Sequence, residues 1–242
     1  MTILGIDLGT TLNKVACLNP YGLQIIISNK NKSATPSVAY VDKNDRWYFG
    51  ERAVEYGISK PKQCIYETKL MLGRKFEDPF IQKRRKLWKF ETQADEEGRI
   101  KIIIKINKQT KEFYAYEILG KILQNLVEVA NINLPAKTRQ VIISIPYSFN
   151  QQQIDDLILS TKLAQLQVIR FITEPVSTTL AYLHNLRLDI RSRHNFLIYD
   201  LGTSTINAFI IKTYEDPKQN EIISKTNYEI NGQTFEENIY ES

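Results

Sequence analysis

The chain has 242 residues, 43% of them hydrophobic and 24% charged, with a formal net charge of +5, the make-up of an ordinary soluble globular protein with one large or two small domains. No apolar run approaches the ~18 residues of a membrane helix, and the opening Met-Thr-Ile-Leu-Gly-Ile-Asp lacks the basic start of a signal peptide. Cys17 and Cys64 have no metal-type spacing and His184 and His194 are the only histidines, which argues against a histidine-based metal site and predicts free thiols in a reducing, cytoplasmic compartment.

Residues 3–7, 13–18 and 23–28 read as strands of a meander, with Asn19-Pro20-Tyr21-Gly22 as the turn between the last two. The first two are separated by Asp-Leu-Gly-Thr-Thr, residues 7–11. A plain hairpin needs only Asn-Gly or Asp-Gly. Here Gly9 lets the backbone come close, while Thr10 and Thr11 offer amides and hydroxyls, a turn that suits an anion. Taken alone, it fits an ordinary hairpin with a polar tip equally well. Strand 37–42, a Lys43-Asn44-Asp45 turn, strand 46–49 and a short helix from Glu51 follow. Further strands are predicted at 87–92 and 99–106, on either side of the polar stretch 93–98, and at 111–115. The densest basic run is Gln-Lys-Arg-Arg-Lys-Leu-Trp-Lys-Phe (82–90), with Trp88 and Phe90 interleaved. No helix-turn-helix, zinc or RNA-recognition signature accompanies it, so it reads as a solvated basic face; an import signal or an anionic partner are the other readings.

Ile118, Leu119, Ile122, Leu123, Leu126, Val127 and Ala130 recur at three and four, which predicts a helix with one apolar face. Residues 139–146 form a β-branched strand stopped by Pro146. Asn150 is the N-cap of a helix carrying Ile154, Leu157, Ile158 and Leu163. Leu-Gln-Val-Ile-Arg-Phe-Ile (166–172) reads as a buried strand, and Glu174-Pro175 opens another helix. Strand, helix, strand, helix indicates an α/β protein.

The opening pattern then returns. Asp200-Leu201-Gly202-Thr203 stands between apolar strands as Asp7-Leu8-Gly9-Thr10 did. One polar hairpin tip is easily dismissed, but two copies suggest related halves whose turns face each other across a cleft. The natural occupant of such a clamp is a triphosphate.

These residues resemble the nucleotide-binding domain of the heat shock protein 70 chaperones, within the actin and sugar-kinase superfamily. Gly-Ile-Asp-Leu-Gly-Thr-Thr is similar to that family's first phosphate loop, and Glu-Thr-Lys-Leu-Met-Leu-Gly-Arg-Lys-Phe-Glu-Asp-Pro (67–79) to the segment with its catalytic lysine. Ile-Pro-Tyr-Ser-Phe-Asn, Thr-Glu-Pro-Val-Ser-Thr-Thr and Tyr-Asp-Leu-Gly-Thr-Ser-Thr-Ile-Asn follow in the family's order. The resemblance implies an actin-like ATPase (ribonuclease H-like) fold, with a complete first lobe (1–190) and a truncated second lobe (191–242). It implies an ATP-binding chaperone module for protein folding and stress response, with ATP/ADP and Mg2+ as cofactors. J-domain co-chaperones and unfolded clients would be partners if the missing parts were supplied; no specific nucleic acid and no membrane is implied.

By the same resemblance, Gly9, Thr10 and Thr11 would hold phosphates from one side, and Gly202, Thr203, Ser204 and Thr205 from the other. Asp7 and Asp200 would hold hydrated magnesium. Lys69 would neutralise charge at the transferred phosphoryl group and Glu174 would place the attacking water, with Lys69, Glu174 and Asp200 as the catalytic set. Read without the family, Lys69 is a lysine before a helix and Glu174 an acid at a helix N-terminus.

Departures stand beside these matches. Thr203 and Ser204 replace glycines, Asn207 replaces an aspartate, Leu12 stands where a tyrosine is usual, and Ile154 replaces an arginine of an interdomain relay with Pro146 and Lys69. Arg170 matches the family's J-domain contact and equally suits a strand-end arginine. Near the end, Asn231 stands for one glycine of a Gly-Gly loop. The sequence therefore supports an incomplete ATPase chaperone or, alternatively, a non-catalytic binding or scaffold module that kept the fold.

Overall fold

The computed structural model describes residues 2–19, 22–28, 30–107, 109–186, 193–203, 205–215 and 221–228. Its first sheet grows from apolar alternation. Leu4 and Ile6 of β1 (Leu4–Asp7) are buried, as is Leu8 just beyond it. β1 pairs antiparallel with β2 (Leu12–Asn19), and β2 with β3 (Gly22–Ile26) on one side and β4 (Thr35–Pro36) on another stretch. β5 (Val38–Val41) lies between β6 (Trp47–Phe49) and β7 (Cys64–Tyr66), covered by α1 (Glu51–Ser59). Both cysteines are free thiols, and burial pushes the Cys64 thiol up to about 11.

Two short helices, α2 (Thr68–Met71) and α3 (Pro79–Arg84), lead into a meander of β8 (Glu91–Ala94), β9 (Ile100–Ile106) and β10 (Gln109–Tyr114). The expected strand at 87–92 therefore begins only at Glu91. Residues 87–89 are held elsewhere, because the Tyr66 hydroxyl donates to the Leu87 carbonyl (3.2 Å) and accepts from the Lys89 N–H (3.3 Å). The polar stretch 93–98 is split: 93 and 94 extend β8, and Asp95 closes the following turn by accepting from the N–H groups of Glu97 and Arg99.

α4 (Ala115–Ile132) buries the apolar face its spacing predicts, from Ile118 to Ala130. β11 (Gln140–Ile145) follows. α5 (Gln151–Leu163) opens on the predicted Asn150 cap, whose side chain accepts from the Gln153 N–H at 2.9 Å. β12 (Gln167–Thr173) is not the buried strand that its apolar run suggested. It forms one edge of the sheet ordered β12-β11-β1-β2-β3, and Ile169 and Arg170 are exposed. α6 (Glu174–Asn185) then precedes a second antiparallel sheet of β13 (Asn195–Leu201), β14 (Ile206–Lys212) and β15 (Glu221–Tyr228).

The chain divides into two compact units. One comprises Met1–Ile143 and Ser148–Phe171, and the other Ser144–Tyr147 and the chain from Ile172 onward. The first contains nearly all of the buried apolar core.

Candidate functional site

In the first unit the turn between β1 and β2 is tight. A Cβ built on Gly9 would lie 2.1 Å from the Leu12 carbonyl oxygen, so only glycine fits there. The turn is also pinned from outside, since the Ser37 N–H donates to the Thr11 carbonyl at 2.7 Å. Asp7 and Thr11 are exposed and Thr10 is half-buried, so carboxylate and hydroxyls lie at the surface of the turn. Lys69 is only 6% exposed and reaches this turn: its Nζ donates to the Leu8 carbonyl at 2.5 Å and lies 5.9 Å from the centre of the Phe149 ring. Of the residues singled out in the sequence, Gly9, Thr10, Thr11 and Lys69 are thus brought together.

Lys69 owes its place to a helix fixed at both ends. At the near end Glu67 takes a left-handed conformation (φ 58°), turning the chain from β7 into α2. Both carboxylate oxygens of Glu67 are engaged. Arg84 donates to them through Nη2 and Nε, the latter at 3.2 Å, and the Trp88 indole N–H donates at 2.8 Å. At the far end Gly73 has φ +59°, a Cβ there would meet the Gln153 nitrogen at 2.5 Å, and its N–H donates to Asp156 at 2.8 Å. The basic run 82–90 is therefore only partly a solvated face. Arg84, Trp88 and Phe90 turn inward, while Lys83, Lys86 and Lys89 remain exposed.

The second unit holds Glu174, Asp200, Gly202, Thr203 and Thr205. Glu174 is the first residue of α6, followed by Pro175, and its carbonyl accepts from the hydroxyls of Ser177 (2.8 Å) and Thr178 (2.9 Å). Asp200 is half-buried on β13. The turn after it is closed by the Gly202 N–H on the Thr205 carbonyl (2.9 Å), and the Thr205 hydroxyl accepts from Asn207 Nδ2 (3.2 Å). Thr203 is exposed. Ser204 and Asn231 lie outside the described residues.

The two turns share a register. Asp7 stands directly opposite Lys14 across β1 and β2, and Asp200 directly opposite Asn207 across β13 and β14, seven residues on in each case. Directly opposed residues lie on the same face with Cβ atoms about 5 Å apart. Magnesium takes its protein ligands from carboxylates and leaves much of its charge to be met by phosphates and water. Here one candidate carboxylate faces an ammonium group and the other an amide. Neither opposed pair by itself is the pair of carboxylates that would favour magnesium. Lys14 was missed in the sequence because its significance lies in the pairing, not in the residue.

The profile of the family described as Hsp70 protein matches residues 3–241. The chain belongs to the Hsp70 family. It is 30% identical over 208 residues to a heat shock protein of Pyricularia oryzae, covering 86% of this chain and 33% of that protein. It is 31% identical over 210 residues to chaperone protein dnaK of Cyanidioschyzon merolae, covering 87% and 33%. With chaperone protein DnaK of Carsonella ruddii it shares 31% identity over 236 residues, covering 96% and 37%. The chain thus spans about a third of the length of the curated relatives it matches. Its mixed α/β content and Hsp70 membership imply the actin-like ATPase fold. Among the described residues no helix is long and apolar enough to cross a membrane.

Proposed function

We propose that this chain is the nucleotide-binding module of an Hsp70-type chaperone and that it recognises ATP and ADP through their phosphates. The observation that carries this reading is the buried Lys69 ammonium held against the turn formed by Gly9, Thr10 and Thr11. A phosphate chain at that turn meets backbone amides and two hydroxyls, and the ammonium, a three-donor group held beside the turn by the Leu8 carbonyl, adds a charge-assisted bond to a phosphate oxygen. Asp200, Gly202, Thr203, Ser204 and Thr205 carry the equivalent role in the second turn. Glu174 serves as the residue that orients water. If turnover occurs, Lys69 acts on the charge that develops in the transition state.

A second reading, binding without turnover, is favoured by Asn207, whose amide occupies the position opposite Asp200 and is engaged with Thr205. Exposed Arg170 is the proposed contact for a J-domain co-chaperone. Clients, a cytoplasmic setting and a part in protein folding are proposed on the strength of the Hsp70 relatives, of whose length this chain covers about a third.

Calorimetric titration with ATP and a phosphate-release assay test both readings. Lys69→Ala is expected to weaken ATP binding by about tenfold, as loss of a charge-assisted hydrogen bond does, and to abolish any phosphate release. Unchanged affinity and unchanged release would remove Lys69 from the site.

A further inference from the structure

We infer that Lys14 serves as a built-in cation of the first turn, so that this chain binds a polyphosphate without needing a divalent metal. The inference rests on the phosphate-binding reading above. In the β1–β2 ladder Leu4 and Cys17 are opposed and both buried, Ile6 and Val15 are opposed and both buried, and Asp7 and Lys14 are opposed and both exposed. The alternation places the carboxylate and the lysine on one outward face, next to the turn with the two threonines.

A four-carbon arm starting about 5 Å from the Asp7 Cβ brings its ammonium within reach of the carboxylate and of an anion at the turn. This changes the sign of the place. An aspartate alone attracts a divalent cation, which in turn attracts phosphate; an aspartate beside a lysine is locally neutral, and the lysine contacts phosphate directly. The second turn points the same way. Opposite Asp200 stands Asn207, which adds no negative charge and spends its Nδ2 on Thr205. At the first turn the opposed pair is neutral, which gives magnesium little to hold but is compatible with an anion held by amides, hydroxyls, Lys14 and Lys69.

The test is calorimetric titration of the full chain with inorganic tripolyphosphate, once with excess magnesium and once with excess EDTA. The wild-type affinities are expected to agree within about threefold, because direct ammonium contacts replace the metal. Lys14→Ala is expected to weaken binding in EDTA by about tenfold. Lys14→Asp, which sets a second carboxylate opposite Asp7, is expected to bind only when magnesium is present. Lys14 is exposed, so its substitution leaves the fold intact, and a thermal melt of each variant checks this. Wild-type binding that is lost in EDTA would overturn the inference while leaving the phosphate site in place. An unchanged EDTA affinity in Lys14→Ala would overturn it as well. No binding in either condition would overturn both the inference and the site reading beneath it.

Discussion

A Cβ added at Gly9 would sit 2.1 Å from the Leu12 carbonyl oxygen, whereas at Gly202 the nearest atom, the Thr205 carbonyl oxygen, is 3.3 Å away. The first obstacle is a backbone atom inside a ladder and has no route out of the way. The second needs a shift of a few tenths of an ångström. The two turns therefore differ in how much they depend on glycine, although the sequence writes them alike. Gly9→Ala is expected to distort the first turn and weaken tripolyphosphate binding by more than about tenfold, and Gly202→Ala by no more than about twofold. Calorimetry on both variants, with thermal melts to compare folding, decides this. Equal losses would mean that the turns are equally constrained and that the difference in clearance has no consequence.

At the scale of elements, the segment from Cys64 to Phe90 is held together by a buried charge. Arg84 and Glu67 have side chains 5% and 9% exposed, and removing one member of such a pair leaves the other in a low-dielectric interior at a cost of about 3–5 kcal/mol. Glu67→Gln is expected to lower the urea midpoint of the first unit by a corresponding amount, and Glu67→Gln with Arg84→Met to recover part of it, because no unpaired charge then remains. The only tryptophans, Trp47 and Trp88, both lie in this unit, so their fluorescence reports its unfolding. A double variant no more stable than Glu67→Gln would show that packing, not the charge, holds the segment. This segment is also where the sequence was least legible. The meander of β1 to β3, the apolar face of α4 and the Asn150 cap of α5 each follow from a period or a local signal. β7, α2 and α3 are too short for any period to show. Nothing marks Glu67 as left-handed, since it is neither glycine nor asparagine. Arg84 and Trp88 read as part of a solvated basic run because their partner lies 17 and 21 residues away. The repeated Asp-Leu-Gly-Thr, by contrast, was visible at once; the positions opposite the two aspartates required the register of the strands.

At the scale of the molecule, apolar burial is uneven. Among the described residues of the second unit, only Ile145, Leu183, Phe209 and Ile211 belong to the buried apolar set. α6 packs against β13, with Tyr182 and Phe196 in edge contact at 5.9 Å, and that covers one side of the strand. The alternate residues Leu197, Tyr199 and Leu201 are 73%, 66% and 57% exposed. Among the described residues β13 is also the edge of its sheet, with β14 on one side only. An apolar face on an edge strand offers both unpaired backbone groups and a sticky surface to another chain. The protein is therefore expected to self-associate through β13 as its concentration rises. Lysine at alternate positions of an edge strand opposes this by charge and by the cost of burying it. Leu197→Lys with Leu201→Lys is expected to hold the protein as single chains in sedimentation velocity over a concentration series in which the wild type grows in mass. If the double variant associates as the wild type does, the contact lies on another face, and the exposure of β13 has no part in it.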